Sequence, residues 1–196
     1  MSQAARKLAT VDDLLALPDS GRFFELIDGV LEPRGAACGR HGLAHFRLGS
    51  ILDPFDRRPS GSTPGGFWLA IGVNVQFGAE STLRPDLLGW RRDRVPQLPK
   101  DRVTEVRPDW VCEILSTNRR NDLVAKKRIY HRHQVPHYWI IDPDEEMLTV
   151  YRWAPEGYLE ILVGERGDTL RAEPFEAIEI RIGTLFGDDD EESEGG

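Results

Sequence analysis

The architecture turns on residues 107–143, RPDWVCEILSTNRRNDLVAKKRIYHRHQVPHYWIIDP. Within it, DWVCEIL carries apolar residues on both parities, the pattern of a central strand covered on two faces rather than one. Asn121 to about His133 reads as a helix, with Leu123, Lys126, Lys127 and Tyr130 spaced around it. HYWIID, a Pro-Asp turn and MLTVYRW then form a hairpin.

Upstream, Thr10-Val-Asp-Asp-Leu-Leu-Ala-Leu predicts a short helix with Thr10 as N-cap, Asp13 three residues later and Pro18 as its stop. FFELIDGVLEP is a pair of short runs around Asp28-Gly29, a strong hairpin signal. Residues 41–55, HGLAHFRLGSILDPF, place Leu43, Phe46, Leu48, Ile51 and Leu52 at helical spacings, and RRPSGSTPGG is a loop by composition. FWLAIGVNVQFG predicts one strand or a bent pair, RPDLLGW the next strand, and RRDRVPQLPKDRVTEVRP a charged loop. Downstream, YLEILV and AIEIRI predict two last strands. Early helices, a run of strands, one helix and more strands make an α/β order, with a curved mixed sheet flanked by few helices.

The 196 residues suit a single domain over 1–187, large enough to bury a core without disulfide or metal staples. With 40% hydrophobic and 30% charged residues, the composition is that of a soluble globular chain. No apolar run reaches the ~18–20 residues of a transmembrane helix, and no apolar segment follows the basic residues at the N-terminus, so a cytoplasmic protein without a membrane partner is expected. Cys38 and Cys112 have no CxxC spacing, which argues against a disulfide scaffold or a zinc site. The net charge of −8 comes largely from the tail 188–196, DDDEESEGG, expected to be disordered; outside it 27 acids face 25 bases. That balance argues against a non-specific DNA-coating protein but does not exclude a local basic cleft.

Two carboxylates, Asp86 and Glu113, sit inside apolar strands. Such groups are buried only when paired or metal-bound. Either each caps a strand end or pairs with one of the many arginines, or both face one cation, for which hard oxygen ligands suit magnesium or manganese. Lys126 is one helical turn from both Asp122 and Tyr130. On its own, beside Lys127 and Arg128, it belongs to a solvated basic face; placed over Glu113, its ammonium could orient a water and stabilise charge on a phosphorus centre. Ser116 and Cys112 lack a general base at fixed spacing, and no phosphate-binding glycine loop is present. His41 and His45, four apart, lack a third ligand for zinc. Basic residues at Arg84, Arg91, Arg92, Arg94, Lys100, Arg102 and Arg107, and again from Arg119 to Arg132, flank the carboxylates in sequence. They line a polyanion cleft or form ordinary surface charge, since acids are interleaved.

The ordered set E-L-I-D-G, P-D, E-x-L-S, D-x-x-x-K-x-x-x-Y and Y-W-x-x-D-P resembles the Uma-type restriction endonuclease family of the PD-(D/E)XK nuclease superfamily, over roughly residues 20 to 183. The resemblance implies a restriction-endonuclease-like fold and magnesium-dependent cleavage of phosphodiester bonds, in DNA first of all, with manganese as a substitute metal. It assigns Pro85-Asp86 to the PD pair and Glu113 to the acidic residue of the second motif. Leu115 stands where that motif has its lysine, and the displaced lysine matches Lys126 rather than Lys127. Glu25 matches an acid near the site, and Asp122, Tyr130 and Asp142 match supporting positions. The metal would be held by Asp86, Glu113 and the main-chain carbonyl of Ile114, with Lys126 positioning the attacking water and Glu25 assisting. The resemblance also brings His41 near the site. Gln134, where the family has glycine, and Ser116-Thr117-Asn118, which lacks its proline, depart from the pattern. The implied partners are nucleic acid and, for a homodimer, a second copy of the chain. The alternative is a non-catalytic module that keeps the fold to bind nucleic acid or protein. Convergence of Asp86, Glu113 and Lys126 in one cleft separates the two readings.

Overall fold

The computed structural model describes residues 8–18, 23–61 and 64–189. Helix α1 (Val11–Leu15) opens with the expected capping box, Thr10 and Asp13 each accepting from the other's backbone. Strands β1 (Phe24–Ile27) and β2 (Val30–Pro33) pair antiparallel across Asp28-Gly29, whose φ values of 45° and 78° are those a two-residue hairpin turn demands. Helix α2 (Gly39–Leu52) starts two residues before the expected span and ends in a 3-10 turn, Asp53–Phe55.

FWLAIGVNVQFG is a bent pair. Gly72, at φ 64°, separates β3 (Phe67–Ile71) from β4 (Asn74–Gln76), and the two belong to different sheets. β5 (Thr82–Leu83) and β6 (Leu87–Arg91) follow. The charged connection contains a short strand that its composition hides, β7 (Val103–Thr104), paired parallel to β4. After β8 (Trp110–Ile114) the chain makes a wide π-type turn over Asn121–Lys126 and continues as α3 (Lys127–Arg132). β9 (His137–Asp142), β10 (Met147–Ala154) and β11 (Gly157–Glu165) form a meander. AIEIRI is not a full strand: only Ile180–Arg181 (β13) pairs, with Thr169–Leu170 (β12), and Ile182 begins α4 (Ile182–Leu185). Ile180 and Ile182 are both fully buried, so the alternation that mimics a strand is satisfied by packing instead. Of the acidic run, Asp188 pairs with Arg166 at 2.5 Å, and residues 190–196 lie outside the described part.

Among the described residues the strands form three sheets, β2-β1-β5-β4-β7, β11-β10-β9-β8-β6-β3 and the β12-β13 pair, and the large sheets are flanked by few helices. In the six-stranded sheet β8 is central, parallel to β9 and antiparallel to β6, and all five of its residues are buried. Its side chains alternate with period two. Trp110, Cys112 and Ile114 enter a cluster with Ala44, Leu48 and Leu52 of α2, while Val111 enters a second cluster with Ile129 and Tyr130 of α3. Glu113 shares the parity of Val111, which aims it toward the helix rather than into the larger core.

Phe175 centres the first cluster, its ring 4.8–5.6 Å from those of Phe55, Phe67, Trp110 and Trp139. Phe175→Ala is expected to cost about 3–5 kcal/mol in urea denaturation, by lost burial and a residual cavity. Phe46→Ala, at a site 72% exposed, stays within about 0.5 kcal/mol.

Candidate active site

The site lies where β8 finishes and β6 begins. The register Leu87↔Cys112 brings Asp86, one residue before β6, beside the last residues of β8. Asp86 Oδ2 accepts the Ile114 N–H at 2.9 Å, so the carboxylate is fixed against the backbone of the strand that carries Glu113. Its Oδ1 accepts from Arg34 Nη2 at 2.8 Å, and His41 Nε2 lies 3.4 Å from Oδ2. Burial pushes the Asp86 carboxyl up, but the hydrogen bond to His41 and the charge of Arg34 outweigh it and hold it down at about 2.

Glu113 is in the opposite situation. It is 1% exposed, and its two oxygens meet Tyr130 Oη at 2.5 Å and Lys126 Nζ at 3.1 Å. Lys126 is itself 4% exposed and is shared among three carboxylates, since Nζ also lies 2.9 Å from Glu25 Oε2 and 2.9 Å from Asp122 Oδ1. Burial works against the ammonium, but Glu113, Glu25 and Asp122 hold it protonated well above the usual lysine range. Burial pushes Glu113 well up, Lys126 opposes it, and the neighbouring acids push it further. Two carboxylates of one site are thereby pushed in opposite directions by their surroundings.

Each of these side chains arrives from a different element. Glu25 comes from β1, where its other oxygen accepts the Arg84 N–H at 2.7 Å and so ties the hairpin to the residues just before Asp86. Asp122 and Lys126 come from the π-type turn, and Tyr130 follows on α3. Widened turns of this kind recur at functional sites because they re-aim side chains. Tyr138 of β9 donates to the Asp122 carbonyl at 2.8 Å and anchors that turn to the sheet. Lys127 points elsewhere: its Nζ sits 3.5 Å from the centre of the Tyr151 ring. Leu115, in the position a strand-borne lysine would take, packs in the second cluster beside Ile129 and Tyr130.

Glu25, Asp86, Glu113, Ile114, Asp122 and Lys126 all line one pocket of about 650 Å³, whose wall includes Arg34, His41 and Asn121. Asp142 is not part of it; it pairs with Arg119 and caps the turn after β9. Several of the basic residues that flank the carboxylates in sequence are paired with acids away from the pocket: Arg91 with Asp93, Arg92 with Asp56, Arg94 with Asp109, Arg119 with Asp142, and Arg128 and Arg132 with Asp28. Surface charge is therefore the better account of them. Arg34 escaped the sequence reading; the hairpin register Phe24↔Pro33 sets it opposite Phe23, diagonal to Glu25 on the same face.

A divalent cation suits this donor set. Each carboxylate oxygen can accept in two directions, so the bonds from Tyr130, Lys126 and Arg34 leave Glu113 and Asp86 with further acceptor capacity. The pocket holds four carboxylates, a formal excess of acid over Lys126 and Arg34. Among the described residues no cluster of three or more His, Cys, Asp or Glu could hold a metal by itself. Asp86 and Glu113 alone would leave most of a coordination shell to water and substrate, an arrangement suited to a hard cation and not to a closed zinc cage.

The profile of the Uma2 family, described as a putative restriction endonuclease, matches residues 11–183, and the chain belongs to that family. Its fold is that of a crystal structure of a putative nuclease belonging to DUF820 from Anabaena variabilis, with a TM-score of 0.69, 23% identity, and coverage of 90% of this chain and 97% of that one. No curated protein matches the chain. Among the described residues no helix is long and apolar enough to cross a membrane.

Lys126→Met should leave three buried carboxylates without their cation and cost about 3–5 kcal/mol at neutral pH. In that variant Glu113 and Asp122, which burial already holds above their unfolded pKa values, lose the Lys126 charge that opposes the rise. The stabilisation linked to those protons is fully present below the unfolded value and is lost as pH rises through the folded one. Melting curves should therefore show the deficit of Lys126→Met shrinking from about pH 7 to about pH 5. Lys127→Met should track wild type throughout.

Proposed function

We propose that the chain is a magnesium-dependent endonuclease that hydrolyses phosphodiester bonds in DNA, with manganese able to replace magnesium. The observation that carries this reading is the Lys126 ammonium, 3.1 Å from Glu113, in a pocket that Asp86 also lines. A merely solvated basic helix would point that lysine outward.

Asp86 and Glu113 would hold the metal, with the Ile114 carbonyl as a third oxygen. The bound ion would lower the pKa of a coordinated water and neutralise charge on the scissile phosphate. Lys126, kept protonated by its neighbours, orients the attacking water and stabilises negative charge on the phosphoryl oxygens as it develops. Glu25 fixes the ammonium from the far side, and Tyr130 holds the Glu113 carboxylate in one orientation. A homodimer would offer two such pockets, one for each strand of a duplex.

Cleavage of varied DNA and RNA substrates, with and without magnesium or manganese, tests the reading directly. Wild type should cleave DNA only with metal, and metal at a hundredfold excess over Kd should stabilise the fold by about 2.7 kcal/mol. Asp86→Asn and Glu113→Gln should lose both effects while retaining nucleic-acid binding, because removing negative charge does not weaken attraction for phosphate. Lys126→Met should lose cleavage and keep the metal-dependent shift. A wild type that neither cleaves nor responds to metal would return the chain to the non-catalytic reading.

A further inference from the structure

Arg34 leaves the end of the β1–β2 hairpin and is held there from two sides. Its own N–H donates to the Phe23 carbonyl at 2.7 Å, and Asn118 Nδ2 donates to the Pro33 carbonyl at 3.3 Å. The next residue, Gly35, passes so close to the segment after β8 that a Cβ there would fall 1.9 Å from Ser116 Oγ and 3.1 Å from the Asn118 nitrogen. Glycine is what lets this strap cross the strand end. So fixed, Arg34 points inward. Its side chain is 22% exposed, lines the pocket, and bonds Asp86 Oδ1 at 2.8 Å.

That oxygen is the informative one. Asp86 Oδ2 already serves the Ile114 N–H and His41, so Oδ1 is the oxygen with room for a cation, and the guanidinium faces it. A divalent ion and a guanidinium at one carboxylate oxygen repel each other strongly in a site of low dielectric. Yet arginine presents five donors in a planar fork that matches phosphate.

We propose that Arg34 occupies two stations: it is the counter-ion of Asp86 while the metal is absent, and the clamp on a phosphate of the bound strand once a cation takes Oδ1. The proposal rests on the metal-dependent reading above. It makes Arg34 a brake on metal binding and a contributor to substrate binding, two effects of opposite sign from one residue.

Manganese affinity, measured by the resonance signal of free Mn²⁺, and binding of a labelled duplex oligonucleotide in calcium, another hard oxygen-seeking cation, test it without recourse to cleavage. Arg34→Gln should bind manganese about tenfold more tightly or better, since a repelling charge is gone. The same variant should bind the duplex more weakly, with the salt dependence reduced by about one phosphate contact. Arg34→Lys keeps the charge without the fork; it should bind manganese as wild type does and the duplex less well. It also serves as the second variant if Arg34→Gln does not fold, as judged by melting in EDTA. Unchanged or weaker manganese binding in Arg34→Gln, with wild-type binding that Asp86→Asn abolishes, would overturn the proposal and leave the metal-dependent reading standing. So would duplex binding that neither variant weakens. Absence of manganese binding in wild type and Arg34→Gln alike would overturn both. Binding in Arg34→Gln alone would support the brake in its strongest form.

Discussion

A single buried ammonium organises this molecule's functional end. Lys126 Nζ lies within 3.1 Å of carboxylates from β1, β8 and its own turn, so hairpin, central sheet and helix meet at one positive charge. Burying that charge is expensive unless its partners are close and hydrogen-bonded. The surrounding structure meets the requirement by fixing the partners as well: Glu25 accepts from the Arg84 backbone, Glu113 from Tyr130, and Tyr138 holds the Asp122 carbonyl. The cluster has more acids than bases. It therefore ties the fold together, and on the proposed reading its spare carboxylate oxygens would receive a divalent cation.

The same excess explains why the overall charge says little about what the pocket binds. The body of the chain is close to neutral, and many of its arginines are taken up in pairs with acids. Exposed pairs of that kind contribute little to stability and little net field. On the proposed reading, attraction for a phosphate would arise locally, from the few cations whose partners a metal could take over. Arg34 and Lys126 are such cations in the pocket wall.

Much of the fold is legible in the sequence because its strongest local signals agree with its packing. Asp28-Gly29 is a hairpin turn in both, Thr10 and Asp13 form the capping box, and DWVCEIL is buried on both faces because β8 runs between β6 and β9. Glu113 and Asp86 are conspicuous because charge inside apolar strands needs a reason. The failures also have physical causes. β7 is two residues long and paired only at one end of a sheet, so a charged loop composition hides it. AIEIRI alternates as a strand does, but its isoleucines serve a core that also accepts the first residue of α4. The division of the strands between sheets depends on Gly72, whose left-handed φ no alternation pattern reveals. Arg34 carries no periodic signal; only the hairpin register and the close passage of Gly35 turn it inward.

The placement of the lysine has a consequence for how the site assembles. A lysine two residues after Glu113 would be delivered by the strand itself, as soon as the sheet formed. Here Leu115 fills that position and packs against Ile129 and Tyr130, so the strand contributes an apolar seat for the helix instead. The ammonium comes with the helix, and it reaches Glu113 only when the π-type turn docks through Tyr138 and Asp122. Docking of α3 and completion of the charge cluster are then one event: the apolar seat supplies the driving force, and the buried charges select the register. A helix rotated by one residue would exchange Lys126 for Lys127, about 100° around the axis in an ordinary α-helix, and strand the acids without a cation. Tyr151, whose ring takes up the Lys127 ammonium, favours the observed register from the other side. The helix thus carries two lysines with separate destinations, and the discrimination between them is made by partners on three different strands.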